Sequence, residues 1–293
     1  MTTPPYENPH RLASAAVVVG VDGSEGADLA VRWAAETAAH RHRDLLLVHG
    51  LDLASTRSMV GYYDVLTPSI TETIHKQGRR IVDADRRLAQ SVNPDLVVAV
   101  EISEAGAAEL LIRHSRTAHL VVIGATGNAG AFAHIGSTLL AVSAHGHGSV
   151  IVVRDTAIRH TGPVVVGVDG TEAADAAIAA AFDEAAERET ELVAVHARAA
   201  TPSATDENGA ADTVLAERLA GWQEKYPNVR VRREARPAQP TQLLMDWSDT
   251  AQLIVVGTRG RGALTGLLLG STSNFLVQHA HCPVLIAHRD QSE

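Results

Sequence analysis

The stretch AAVVVGVDGSEGADLAVRWAAETA, Ala15 to Ala38, returns as GPVVVGVDGTEAADAAIAAAFDEA, Gly162 to Ala185, 147 residues later. Each version passes from a run of valines through Val-Asp-Gly into a segment with apolar residues at three- and four-residue spacing. That pattern predicts a buried strand, a tight turn and a helix. Its return at a fixed offset marks a duplication, so the fold of one half is the fold of both.

Further pieces follow in the same order. DLLLVHG (Asp44 to Gly50) matches ELVAVHA (Glu191 to Ala197) at the same offset, both carrying Val-His near the end. HLVVIGATG (His119 to Gly127) matches QLIVVGTRG (Gln252 to Gly260), Gly-Ser-Thr recurs at Gly136 and Gly270, and SVIVV from Ser149 matches PVLIA from Pro283. The apolar runs lack in/out alternation, as strands buried on both faces do. Right-handed crossovers then place helices on both faces of a five-stranded parallel sheet in each half. The fold class read from this is α/β: two tandem Rossmann-like, doubly wound domains, each with its ligand expected at the carboxyl edge where strand order reverses.

The boundaries read as a flexible arm over 1–13, a first domain over 14–157 and a second over 158–293, divided within the turn-rich stretch Arg154 to Pro163. The inserts after the second strand, Asp52 to Ser69 and Ala199 to Ala211, are expected to be mobile loops.

A net charge of -9 opposes binding of nucleic acid or anionic lipid. No apolar run approaches the roughly 18–20 residues that span a bilayer. The single cysteine, Cys282, cannot form an internal disulfide, and Met1 to Ala13 lacks the apolar core of a secretion signal, so a cytoplasmic location is expected.

The chemistry concentrates at two places in each half. After the fourth strand of the second half, Gly257-Thr258-Arg259-Gly260-Arg261-Gly262-Ala263 precedes Gly270-Ser271-Thr272-Ser273, which opens the next helix. Glycines allow backbone N–H groups to converge, and hydroxyls at a helix N-terminus add donors and the positive end of the dipole, which together describe a phosphate cradle. Asp22 and Asp169 end the first strands, where a carboxylate accepts from a ribose hydroxyl. The competing reading is helix capping with Ser24 or Thr171 as the cap.

These residues resemble the universal stress protein family along nearly the whole chain. That family's nucleotide signature is glycine, two residues, glycine, nine residues, glycine, then serine or threonine, met by Gly257, Gly260, Gly270 and Ser271. The resemblance implies that Gly167, Val168 and Asp169 touch the nucleoside, that main chain near Val195 reads adenine, and that Gly257 to Ala263 with Ser271 to Ser273 hold the phosphates of ATP, with magnesium accompanying the nucleotide and no metal site made by protein alone. The first-half equivalents are Gly20, Val21, Asp22, Val48, Gly124, Ala125, Thr126, Gly127, Asn128, Ala129, Gly130, Gly136, Ser137 and Thr138. There only eight residues separate Gly127 from Gly136, and Asn128 replaces the arginine seen as Arg261, so this site is expected to be weaker or empty.

Other signals weigh less. Val168-Asp169-Gly170-Thr171 resembles the D-x-D-G-T phosphotransferase loop, but Gly167 stands where the nucleophilic aspartate belongs. No GxxxxGK[ST] loop is present. His145 and His147, like His279 and His281, lack a third ligand at metal spacing. Cys282 reads as a buried small apolar residue, and Trp33, Trp222 and Trp247 as helix-packing residues. No catalytic residue is identified. The function expected is an ATP-binding stress-response protein that regulates a protein partner and could homodimerise. The alternatives are a slow ATPase or nucleotidyl transferase, and a nucleotide-free scaffold.

Overall fold

In the computed structural model, the structure describes residues 8–54, 68–125, 136–154, 160–198, 207–258 and 269–289. The chain forms two compact units, Met1–Val153 and Arg154–Glu293.

In the first unit the order is β1 (Val17–Gly20), α1 (Glu25–His40), β2 (Leu45–Gly50), α2 (Pro68–Val92), β3 (Val98–Ser103), α3 (Ala107–Ser115), β4 (Leu120–Gly124), α4 (Ser137–His145) and β5 (Ser149–Val153). The second repeats it as β6 (Val164–Gly167), α5 (Asp175–Glu187), β7 (Leu192–Arg198), α6 (Glu207–Lys225), β8 (Val231–Pro237), α7 (Pro240–Ser248), β9 (Leu253–Gly257), α8 (Ser271–His279) and β10 (Val284–Ala287).

Each unit holds a five-stranded parallel sheet, ordered β3-β2-β1-β4-β5 in the first and β8-β7-β6-β9-β10 in the second. The central strands are solid valine, leucine and isoleucine because both faces are covered. Val17, Val19, Val121 and Val122 are fully buried, as are Val164, Val165, Val166, Ile254 and Val255. The duplicated register is visible in the pairing, with Val17 opposite Leu45 and Val164 opposite Leu192.

Both inserts expected to be loops end in helix. Helix α2 begins at Pro68 and helix α6 at Glu207, so each takes in the last residues of its insert. Residues 52–54 of the first insert are also described, and 55–67 and 199–206 lie outside the described residues. Of the arm, residues 8–13 are described, and a 3-10 turn at Pro9–Arg11 docks them. The His10 Nδ1 pairs with the Ala118 carbonyl at 2.7 Å, and His119 Nδ1 with the His10 carbonyl at 3.0 Å.

The tryptophans pack helices. Trp33 is buried on α1, and Trp222 stacks with Phe182 and Tyr226 between α5 and α6. Trp247 lies under Arg232, 4.8 Å from the guanidinium carbon to the ring centre. Cys282 is buried, and among the described residues no helix is long and apolar enough to cross a membrane.

Candidate functional site

Strand order reverses between β1 and β4, and again between β6 and β9. The carboxyl ends of these strands therefore bring Gly20-Val21-Asp22 beside Gly124-Ala125, and Gly167-Val168-Asp169 beside Gly257-Thr258.

The turn after each first strand is made by a glycine in the left-handed region, Gly23 at φ 77° and Gly170 at φ 83°. This reversal lets the aspartate side chain receive the N–H two residues on: Ser24 N–H donates to Asp22 Oδ1 at 3.0 Å, and Thr171 N–H to Asp169 Oδ1 at 2.9 Å. Beyond that the halves part. Ser24 Oγ accepts from the Ala27 N–H at 3.1 Å and caps α1, so the capping alternative holds for Ser24. Thr171 makes no capping bond, and its hydroxyl donates to Asp169 Oδ1 at 2.8 Å, with a 3-10 turn at Glu172–Ala174 before α5.

Asp169 Oδ2 is buried with no hydrogen-bond partner. A carboxylate oxygen left in that condition costs about 1–3 kcal/mol, more if charged, which a donor arriving from outside would offset.

The repeated histidines join the same turn. His49 Nδ1 donates to the Val21 carbonyl at 2.7 Å, and His196 Nδ1 to the Val168 carbonyl at 2.6 Å. A carbonyl cannot donate, so both rings hold a proton on Nδ1. Sequence reasoning assigned them no role, although Val-His in both halves was the available signal.

The carbonyls of Val48 and Val195 accept from the N–H groups of Val21 and Val168, at 3.0 and 2.9 Å, and so continue the sheet ladder. Strand β7 runs on to Arg198 after β6 ends at Gly167, and β2 runs to Gly50 after β1 ends at Gly20. Main-chain groups point to the same side every second residue, so those of Gly50 and Ala197 overhang the first strand of each unit on the side of Asp22 and Asp169.

The glycine loop of the second unit is closed at its ends. Gly270 N–H donates to the Thr258 carbonyl at 2.7 Å, and Ser273 Oγ donates to the Gly257 carbonyl at 2.7 Å. Ser273 is thus buried and engaged, while Ser271 is exposed and Thr272 half-buried on the first turn of α8, whose cap Gly270 supplies no side-chain bond. In the first unit Gly136 and Ser137 are exposed, Thr138 is half-buried, and the buried Leu139 stands where Ser273 does. Gly124 packs against the first turn of α1: a Cβ there would lie 2.3 Å from the Gly26 carbonyl oxygen. Thr126, Gly127, Asn128, Ala129, Gly130 and Arg259, Gly260, Arg261, Gly262, Ala263 lie outside the described residues.

A carboxyl that sequence reasoning missed lies beside the first-unit turn. Asp85, on α2, is 2% exposed, hydrogen-bonds Asp28 and feels the charge of Asp22. Burial first, then Asp28, then Asp22, push its pKa up to about 7. Among the described residues, no group of three or more histidine, cysteine, aspartate or glutamate side chains is arranged to hold a metal.

A duplicated, doubly wound α/β protein with a Val-Asp-Gly turn and a glycine loop at the switch point of each half is the class that fold and site define. The model of the universal stress protein family matches residues 15–154 and again 160–288, and the chain belongs to that family. It is 36% identical over 292 residues to Universal stress protein Rv2623 of Mycobacterium tuberculosis, covering 94% of this chain and 97% of that one. It is 35% identical over 285 residues to a universal stress protein of Mycolicibacterium smegmatis, covering 92% and 96%. The solved structure of a universal stress protein from Archaeoglobus fulgidus superposes with a TM-score of 0.72 at 16% identity over 95% of this chain and all of that one, a likeness of fold.

Proposed function

We propose that the protein binds adenine nucleotide, ATP in the first instance, at the carboxyl edge of each sheet, with the second unit as the stronger site. The observation that carries this is Asp169 Oδ2, a buried acceptor without a donor at the switch point. A ribose hydroxyl is a neutral donor of the right reach for such an oxygen. Main chain at Ala197, next along the strand edge from Val195, would meet the adenine edge. The Gly257 to Ala263 loop with Ser271 and Thr272 at the start of α8 would hold the phosphates, with the helix dipole favouring their charge. Magnesium would come with the nucleotide.

The same geometry favours binding over catalysis. Asp169 Oδ1 is occupied by Thr171, and His196, which reaches the turn, spends its Nδ1 proton on a main-chain carbonyl. A bound nucleotide would order the switch-point loops and so change the surface offered to a regulatory partner or a second copy of the chain.

The test is to denature the purified full chain, identify released small molecules by mass spectrometry, and titrate ATP into nucleotide-free wild type, Asp169→Ala and Asp22→Ala. Two nucleotides per chain, the tighter lost with Asp169→Ala, is the expected result. No binding by wild type would overturn the reading and leave a scaffold. Turnover above buffer that Asp169→Asn abolishes would replace it with the enzyme reading.

A further inference from the structure

Asp85 and Arg218 occupy the same place in the two units: each lies thirteen residues before the first residue of the third strand, Val98 or Val231, on the helix that follows the second strand. Their partners are also equivalent, since Asp28 and Asp175 share the 147-residue offset of the duplicated segment. Asp85 meets Asp28, acid against acid. Arg218 meets Asp175 at 3.5 Å and donates through its other terminal nitrogen to the Gly170 carbonyl at 3.2 Å. One position thus carries opposite charge against the same turn.

In the second unit the arginine ties helix α6 to the residue that follows Asp169 and neutralises Asp175 beside it. In the first unit the buried Asp85 has one oxygen, Oδ2, with no partner. Two carboxyls in hydrogen-bonding contact share a proton. The charged groups that act on Asp85 are acids. Helix α1 offers Asp28, and the turn after β1 offers Asp22. Strand β2 offers His49, proton on Nδ1, whose ring borders Gly78 of the same helix. Strand β3 carries Glu101, held by Arg113 and His114. The neighbouring Asp83, Arg86 and Arg87 of α2 are exposed.

Building on the nucleotide reading of these turns, we infer that this helix position sets how each site tolerates negative charge. Arg218 is a positioning residue that holds the Asp169 turn for an anionic nucleotide at any neutral pH. Asp85 makes the first site proton-dependent, because losing the proton it shares with Asp28 adds a buried negative charge beside Asp22. The raised pKa of Asp85 puts that loss in the neutral range.

The experiment is calorimetric titration of the full chain with ATP, and with uncharged adenosine as control, from about pH 5.5 to about pH 8.5, across the range in which a carboxyl so raised loses its proton. Asp169→Ala isolates the first site and Asp22→Ala the second. The expected result is a fall of about tenfold in first-site ATP affinity across that range, with adenosine affinity nearly constant. Asp85→Asn should flatten this fall to the slope that ATP's own terminal phosphate imposes on the second site. Arg218→Gln should weaken second-site ATP binding more than adenosine binding, and Arg218→Lys should restore part of it. ATP binding whose first-site pH profile is the same in wild type and Asp85→Asn overturns the inference and leaves the nucleotide reading standing. Absence of ATP binding at every pH overturns both.

Discussion

The two Val-Asp-Gly turns are near copies in sequence, yet they satisfy their aspartates differently. In the first unit Asp22 takes the Ser24 N–H and Ser24 caps α1, so the motif completes itself as a helix start. In the second, Thr171 turns both its donors onto one oxygen of Asp169 and caps nothing, and the other oxygen is buried and unmet. Two changes, Ser24 to Thr171 and Gly26 to Ala173, accompany the shift from a self-contained turn to one with an unmet acceptor. The same motif can therefore be a cap in one copy and hold an unmet acceptor in the other, and only the hydrogen bonds distinguish them.

The largest effect separating the units belongs to Asp85. Its folded pKa is raised to about 7, above the ordinary carboxylate value, so its contribution to the stability of the first unit is full below about pH 4 and is lost as pH rises through about 7. Asp85→Asn should stabilise the first unit at neutral pH by on the order of 2–4 kcal/mol, with the gain vanishing toward pH 4. Urea melts of wild type and variant across that range would show it. A gain that does not change with pH would mean that folding does not shift the Asp85 carboxyl from its ordinary range.

Asp169→Ala comes next. Removing the unmet acceptor should cost about 1.5–3 kcal/mol of nucleotide binding, roughly ten- to a hundredfold in Kd, while in the unliganded fold the relief at Oδ2 is offset by loss of the two Thr171 hydrogen bonds to Oδ1. Asp22→Ala should cost less binding. Equal losses at both sites would break the comparison of the turns.

Gly170 at φ 83° and Gly23 at φ 77° make both turns, and alanine at either should destabilise its unit by about 1–2 kcal/mol. At Gly23 the added Cβ would also press Ile81 at 3.2 Å. Ser273→Ala should cost about 1 kcal/mol by freeing the Gly257 carbonyl, whereas Leu139, its counterpart, holds its place by burial alone. Thermal melts of the three single variants would rank them.

Most of the fold was legible because the 147-residue repeat fixes strand one, helix one and strand two in both halves, and a strand without alternation admits only a sheet covered on both faces. The strand ends that make up the candidate site were legible for the same reason, since Asp22 and Asp169 follow strands at a topological switch. What stayed hidden depends on contacts between segments that share no pattern. Asp85 and Arg218 sit on helices whose sequences diverge, and nothing local says that either faces the turn. Main chain near Val48 and Val195 was the expected adenine reader, and that the carbonyls of these two residues themselves belong to the ladder is revealed only by strand register. Ser273, expected at the phosphates, is instead buried against Gly257, because its position on α8 faces the sheet.

The smallest effect discriminates most finely between the two glycine loops. Gly136 and Gly270 both precede their helices in extended conformation, at φ -56°, ψ 136° and φ -65°, ψ 152°, where serine fits without strain and could cap. A Cβ on Gly136 meets nothing within 4 Å. Gly136→Ser should therefore raise first-unit stability by a few tenths of a kcal/mol and leave second-site ATP binding alone. Gly270→Ser adds the same capping oxygen where the N–H already closes the loop onto Thr258. If phosphates occupy that helix start, the new hydroxyl oxygen competes with them for the same N–H groups. The variant would then gain stability when empty and lose ATP affinity. Stability gained in both variants with ATP affinity unchanged in Gly270→Ser would move the phosphates off the α8 N-terminus and leave the ranking of the second unit resting on the unmet acceptor of Asp169.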